Sequence, residues 1–370
     1  MMDKTSLLEE RRQRVLKTIA LDKTDRTPVV LEYSGFGAGA IGARLGDYVR
    51  DMPTATDMMI QAWDKVGGAD AMEYATYAPD MLSLTWLSRI YVPGRELPFD
   101  EAWQVLEREL MTVDDYDRIT GMGWNAFLAS FLEERVGLDI GQALGGFIQF
   151  VPQAVERWAE HDAPVLVMGI ITTPYEMFCG GRTLAQFVLD LYRIPDKVQA
   201  AMDTTLPEIA GPIVAVNKQF GFPAMWVGGW RSASEMLSRP LWERFVWPYL
   251  EKLAYEVLDS GTIVIFHLDS DWTRDLDMFK SLPAGRCVLS LDGSTDIFKA
   301  KEVLGDTMCI MGDVSPVLLS HGTPDEVYAY CRKLIDGLGP TGFILHSGCD
   351  IPIDARVENV QAMIAAATGK

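Results

Sequence analysis

Eight short apolar runs recur along the chain, and they constrain its fold more than any other feature. They lie at Val29–Leu31, Ala69–Tyr74, Pro164–Ile171, Ala224–Val227, Thr262–Phe266, Cys287–Leu291, Met308–Met311 and Gly342–Leu345. The runs are continuous, not alternating. A strand wet on one face needs alternation, whereas a strand covered on both faces of a parallel sheet does not. Helical patterns separate the runs. Ser6–Ala20 carries Leu7, Leu8, Val15, Leu16 and Ile19 on one side and the EERRQR charges on the other. The stretch 238–261 reads as one helix kinked at Pro248, with Phe245, Tyr249 and Leu253 on one face. Asp296–Leu304 is closed by Gly305, Thr323-Pro324-Asp325-Glu326 is a capping box, and 356–367 is a final helix. Eight buried strands alternating with helices predict an α/β fold, a (β/α)8 TIM barrel that occupies 1–370 as a single domain. The second and third strands stand about 90 residues apart on this periodicity. Residues 100–160, between them, read as a helical insertion.

Charge removes several classes of partner. Lys plus Arg number 33 against 52 Asp plus Glu, a net charge of −19. Such a chain is repelled by phosphate, and no Lys/Arg cluster offers a local exception, so nucleic acid and anionic membranes are excluded as partners. The opening MMDKTSLLEERRQR has no apolar core of a leader, and no run is long enough to span a bilayer. The five cysteines are scattered without a C-x-x-C pair, which points to a reducing cytoplasm.

In a barrel, chemistry gathers where strands end in the C-terminal mouth. Here the strands end in Glu32-Tyr33, Glu73, Gly228-Gly229-Trp230-Arg231, His267-Leu268-Asp269, Asp292-Gly293, Gly312-Asp313 and His346-Ser347-Gly348-Cys349-Asp350. His267 and Asp269 are two apart on extended chain and point the same way. With Cys349 they make an imidazole, carboxylate and thiolate set that suits zinc with one open position. The alternative is that His267 hydrogen-bonds Asp269 or Asp271 and Cys349 is an inert thiol. Glu32, Asp292 and Asp313 are rim acids able to supply a fourth ligand, orient His267 or move a proton. Trp230 and Trp272 would shape a flat apolar pocket, with His346 beside it. His161 and His321 read as surface residues. Gly37-Ala38-Gly39-Ala40-Ile41-Gly42 has the form of a dinucleotide fingerprint, but the acid about 20 residues on, Asp64, sits in a helical pattern. That segment reads as a flexible loop over the mouth.

Two stretches carry a resemblance. GDVSPVLLSHGTPDEVYAYCRKLIDGLGPTGFILHSGCDIPIDARVENVQAMIAA and WPYLEKLAYEVLDSGTIVIFHLDSDW resemble the uroporphyrinogen decarboxylase superfamily, and the likeness extends over roughly residues 5 to 368. It implies a (β/α)8 barrel and one of two activities. The decarboxylase branch binds tetrapyrrole acetates through an arginine-rich RQAGR-like segment and an FSDIL-like run. In their places this chain has LEYSGFGAG and MEYATYAPDML. The corrinoid-linked (methylcobamide-type) methyltransferase branch holds zinc with an H-x-C pair and a later cysteine. His267 and Cys349 match that pattern, and Asp269 stands where the branch has cysteine.

The resemblance therefore implies zinc held by His267, Asp269 and Cys349. It also implies a corrinoid (cobalamin) on a partner corrinoid protein, since the chain lacks a D-x-H-x-x-G motif. The expected reaction is demethylation of a small methoxylated compound, the methyl donor, onto cob(I)alamin. A decarboxylase, methyl transfer from corrinoid to a thiol or folate, and a non-catalytic barrel are the competing expectations. Assembly into an oligomer is compatible with the sequence.

Overall fold

The apolar runs become strands because each finds side chains to pack against on both faces. The computed structural model describes residues 6–369. Met1–Thr5, part of the opening stretch read above for a leader, and Lys370 lie outside them. The strands are β1 Val30–Leu31, β2 Ala71–Tyr74, β3 Val165–Thr172 and β4 Ala224–Gly229, then β5 Ile263–Leu268, β6 Cys287–Leu291, β7 Cys309–Val314 and β8 Phe343–Ser347. They form one 8-stranded parallel sheet in chain order. Val29 bridges Leu345, and the Leu345 amide donates to the Pro28 carbonyl at 3.0 Å, so β8 returns to β1. The expected (β/α)8 barrel is the fold.

Its interior is filled by Val30, Ala71, Trp226, Ile265, Val288, Met311 and Ile344. A fully buried aliphatic side chain there contributes about 1.5–3 kcal/mol over an exposed one. The helix Leu7–Ile19 closes the N-terminal end. Ser6 caps it by accepting from the Glu9 amide at 3.3 Å, and Val15 and Ile19 join the barrel core. Arg14, from the same helix, reaches the fully buried Asp70 at 2.7 Å. Asp70 also accepts from Arg26 at 2.6 and 2.8 Å and from the Val29 amide at 2.9 Å. No helix among the described residues is long and apolar enough to cross a membrane.

Three local expectations change. The stretch 238–261 is two helices, Arg239–Phe245 and Trp247–Asp259, parted at Val246 (φ −110°, ψ −67°). Pro248 falls in the first turn of the second, where its missing N–H has no helical partner to lose. The segment between β2 and β3 is mostly helical from Val113 onward, but before that, after the helical turns at Pro79–Trp86, it forms a two-stranded antiparallel ribbon pairing Arg89–Tyr91 with Gln104–Leu106. Three-residue strands are too short to show a period. The last helix of that segment, Ile140–Glu160, packs on β3 and on the helix Met52–Val66, so it belongs with the barrel's helical layer. Finally, Phe36–Gly39 is a buried helical turn and not a loose loop. A side chain at Gly39 would run into the Ile353 carbonyl, so this glycine serves close packing.

Candidate metal centre

The barrel interior changes character two residues up each strand. Side chains at i and i+2 share a face, so the inward register that buries Val30, Ala71, Ile265 and Ile344 next presents Glu32, Glu73, His267 and His346. The apolar filling thus ends in a polar layer at the C-terminal mouth. Backbone bonds fix the loops above it. The Ile351 amide donates to the Glu32 carbonyl at 2.9 Å, Gly348 to Val314 at 2.8 Å and Asp269 to Gly229 at 3.0 Å. These bonds hold the loop bearing Cys349 against the end of β1.

Two groups of donor atoms result. His267, Asp269 and Cys349 bring their ligand atoms within 4.8 Å of one another. His267 is buried, while Asp269 and Cys349 are half-buried and open toward the mouth. Nε2 of His267 stands 3.5 Å from Asp269 Oδ1, and Nδ1 faces Glu32 Oε2 at 3.7 Å and Ser290 Oγ at 3.5 Å. Trp226 stacks on the imidazole, with centroids 4.7 Å apart and planes at 21°. The second group, Glu32, Glu73 and His346, is wholly buried.

Electrostatics in this layer are dominated by acid. Burial, opposed by His267, raises the Glu32 carboxyl above its usual range. Burial and then Glu32 raise Glu73 well above it. Burial and then Glu32 push Asp350 up to about 7. Burial raises the Cys349 thiol, and His267 offsets part of that. Burial disfavours the His267 imidazolium, but Glu32, Asp269 and Cys349 outweigh it and hold its pKa well above normal. Burial and the neighbouring His267 drop His346 to about 3.

The donor set at the mouth fits a zinc ion. Asp269 Oδ1 is buried without a hydrogen-bond partner. The 3.5 Å gap between it and His267 Nε2 is long for a hydrogen bond. Two donors each about 2.1 Å from one ion stand roughly 3.4–3.7 Å apart across tetrahedral to trigonal angles.

Other residues singled out from the sequence fall elsewhere. Asp292 is taken up by the Ser270 amide at 2.9 Å, the Ser294 amide at 2.8 Å and the Ser294 hydroxyl at 3.0 Å. Asp313 accepts from Tyr330 at 2.7 Å. Both acids belong to neither donor group: loop amides and a hydroxyl engage Asp292, and the helix residue Tyr330 engages Asp313. Trp272 has no exposed surface and packs on Trp242 and Phe279, so it lines no pocket. Its indole N–H instead holds the Asp269 carbonyl at 2.9 Å. His346 is likewise sealed, below the reach of a substrate. Trp230 is half-buried beside the mouth, 4.9 Å from Trp86 and 5.6 Å from Trp226 between centroids. A side chain at Gly228 would strike both Trp226 and Trp230. The buried Glu176 anchors this turn by accepting from the Trp230 and Arg231 amides, each at 2.9 Å. His161 pairs with Asp64 at 2.9 Å and is exposed, as is His321.

Glu73 and Asp350 were read from the sequence only as strand ends and Trp226 only as a rim aromatic, none with a role of its own, and Ser290 was not read at all. The signal for Glu73, Trp226 and Ser290 was the inward register itself. Asp350 accepts from the Ser34 amide at 2.6 Å and from its hydroxyl, tying the loops after β1 and β8 together.

The sequence profile of the uroporphyrinogen decarboxylase (URO-D) family matches residues 136–369. The chain belongs to this family. Human uroporphyrinogen decarboxylase is 25% identical over 199 residues, covering 50% of this chain and 51% of its own. The uroporphyrinogen decarboxylase of Dechloromonas aromatica is 23% identical over 235 residues, covering 60% and 63%. The chain thus spans about half to three-fifths of the length of these curated relatives. A solved structure, a methyltransferase from Methanosarcina mazei, superposes with a TM-score of 0.73 at 19% identity, over 96% of this chain and 97% of that one. At that identity the likeness is one of fold.

Proposed function

We propose that this family member is a zinc-dependent, corrinoid-linked methyltransferase. One observation carries the reading: an imidazole, a carboxylate and a cysteine sulfur converge within 4.8 Å on the open side of the polar layer. In this reading His267 Nε2, Asp269 and Cys349 hold zinc, with the fourth position facing the mouth. Zinc bound there would act as a Lewis acid on the oxygen of a methyl ether, stabilising the alkoxide or phenolate that leaves as the methyl passes to cobalt(I).

The chain's own residues prepare that step. Glu32 and Ser290 face Nδ1 of His267 and so turn Nε2 toward the mouth. Trp226 holds the ring plane, and Trp272 holds the backbone of Asp269. Trp86, Trp226 and Trp230 offer flat apolar walls that exclude water and favour a small methoxylated aromatic donor. A site with one thiolate and one carboxylate is harder than one with two thiolates, which favours an oxygen ligand over a thiol. The cobalamin comes on a partner corrinoid protein. The proposed setting is the reducing cytoplasm, where Cys349 stays a thiol.

The names of the curated relatives favour a second reading, decarboxylation. Metal content by mass spectrometry, beside Asp269→Ala and Cys349→Ser, separates the two. Zinc that falls in both variants, with methylcobalamin formed from cob(I)alamin and a methyl ether, supports methyl transfer. Turnover of a carboxylated substrate that survives chelation unchanged supports decarboxylation and overturns the zinc mechanism.

A further inference from the structure

Directly beneath the three-donor group lies a second one, of which the proposed methyl transfer uses Glu32 alone. Glu32, Glu73 and His346 bring one ligand atom each within 4.8 Å of one another. His346 Nε2 stands 3.7 Å from Glu32 Oε2 and 3.7 Å from Glu73 Oε1. His346 and Glu73 have no exposed surface, and Glu32 is 6% exposed. Both ring nitrogens of His346, both carboxylate oxygens of Glu73 and Oε2 of Glu32 lack any hydrogen-bond partner.

Buried polar atoms pair wherever they can, because an unpaired one costs about 1–3 kcal/mol and a charged one more. Three of them, Glu32 Oε2, Glu73 Oε1 and His346 Nε2, face one another and call for a common partner. The nearest cation of the chain, were His267 protonated, faces Glu32 and not Glu73. The 3.7 Å separations are too long for hydrogen bonds. They match the edge expected between donors roughly 2.1 Å from a shared ion. Charge agrees as well. A dication that displaces the carboxyl protons is balanced by the two carboxylates it creates, with the imidazole neutral.

We propose that Glu32, Glu73 and His346 form a second divalent-cation site, sealed below the first and separated from it by the Glu32 carboxylate. Its donors are one nitrogen and carboxylate oxygens, with no thiolate. It therefore takes harder ions, of the manganese(II) or iron(II) class, more readily than the upper site does. The same carboxylate faces Nδ1 of His267 and Nε2 of His346, so an ion below steadies the histidine of the upper site.

The test counts metal on the full chain, stripped with a chelator and reloaded with Zn2+ or Mn2+. Two ions per chain are expected in the wild type. One should remain in the Asp269→Ala/Cys349→Ser double variant, and one in Glu73→Gln and in His346→Gln. One ion in the wild type and none in the double variant would overturn the proposal while leaving the upper site intact. No ion in any form would overturn both sites. One ion in the wild type that the double variant keeps supports the lower site and breaks the upper. If a buried variant fails to fold, anomalous diffraction from Mn2+-loaded wild-type crystals decides. A peak between His346 and Glu73 supports the site, and its absence there overturns it.

Discussion

Asp70, the residue just before β2, and Glu73, inside it, stand three residues apart, and both are fully buried. Asp70 faces the closed end of the barrel and receives four hydrogen bonds, three of them from Arg14 and Arg26. Glu73 faces the open end and receives none. One carboxylate has been given protein partners and the other has been left waiting for something that is not protein. Barrels divide their labour in this way, with stability at the N-terminal face and chemistry at the C-terminal one. Four consecutive residues, Asp70–Glu73, carry both.

The largest effect should come from the open end. His267→Ala is expected to lower methyl transfer to cob(I)alamin by on the order of 10³-fold or more, with parallel loss of zinc by mass spectrometry. An active variant with normal zinc would remove His267 from the centre. At the closed end, Asp70→Ala leaves two guanidiniums without their shared partner. It should cost about 3–5 kcal/mol of unfolding free energy in urea titration. A cost under 1 kcal/mol would erase the contrast between the two ends.

Trp272→Phe keeps the ring but deletes the N–H that holds the Asp269 carbonyl. Zinc affinity should weaken about 10–100-fold, measured by competition with a chelator. Unchanged affinity would make Trp272 a packing residue only. Glu73→Gln should act opposite to Asp70→Ala. In the metal-free protein it removes a buried carboxyl with no partner, and stability should hold or rise by about 1–3 kcal/mol. A loss there would show that Glu73 has a partner in the chain after all.

The smallest effect concerns pH. Asp350 is pushed up to about 7, so the folded chain binds its proton more tightly than the unfolded chain does. Its contribution to the stability of the metal-free protein is full below about pH 4 and is lost as pH rises to about 7. In Asp350→Asn the urea midpoint should fall less steeply across that window. An identical slope would assign the dependence to other groups.

The fold was legible for a simple reason. Strands covered on both faces are continuous apolar runs, and all eight were visible, with ends drawn up to three residues short where glycines or polar residues follow. His267, Asp269 and Cys349 were legible as a set because H-x-D on extended chain puts two donors on one side. Glu73 was visible only as a strand end. Its significance depends on barrel closure, which sets β1 and β8 beside it and leaves it without a hydrogen-bond donor. Asp292 and Asp313 looked equivalent to Glu32 by position. Loop amides and the Tyr330 hydroxyl, which no sequence spacing announces, had already engaged them. Trp272 misled because a tryptophan near a rim can face inward or outward, and here Trp242 and Phe279 enclose it.

The helix Leu7–Ile19, seated across the lower end with Val15 and Ile19 in the barrel core, turns the barrel into a blind well. With the two proposed sites filled, the ion at Glu73 would lie beneath the one at His267 and be trapped while that one stays. Loading would follow one order and stripping the reverse, so a chelator should empty this protein from the top down, at two distinct rates.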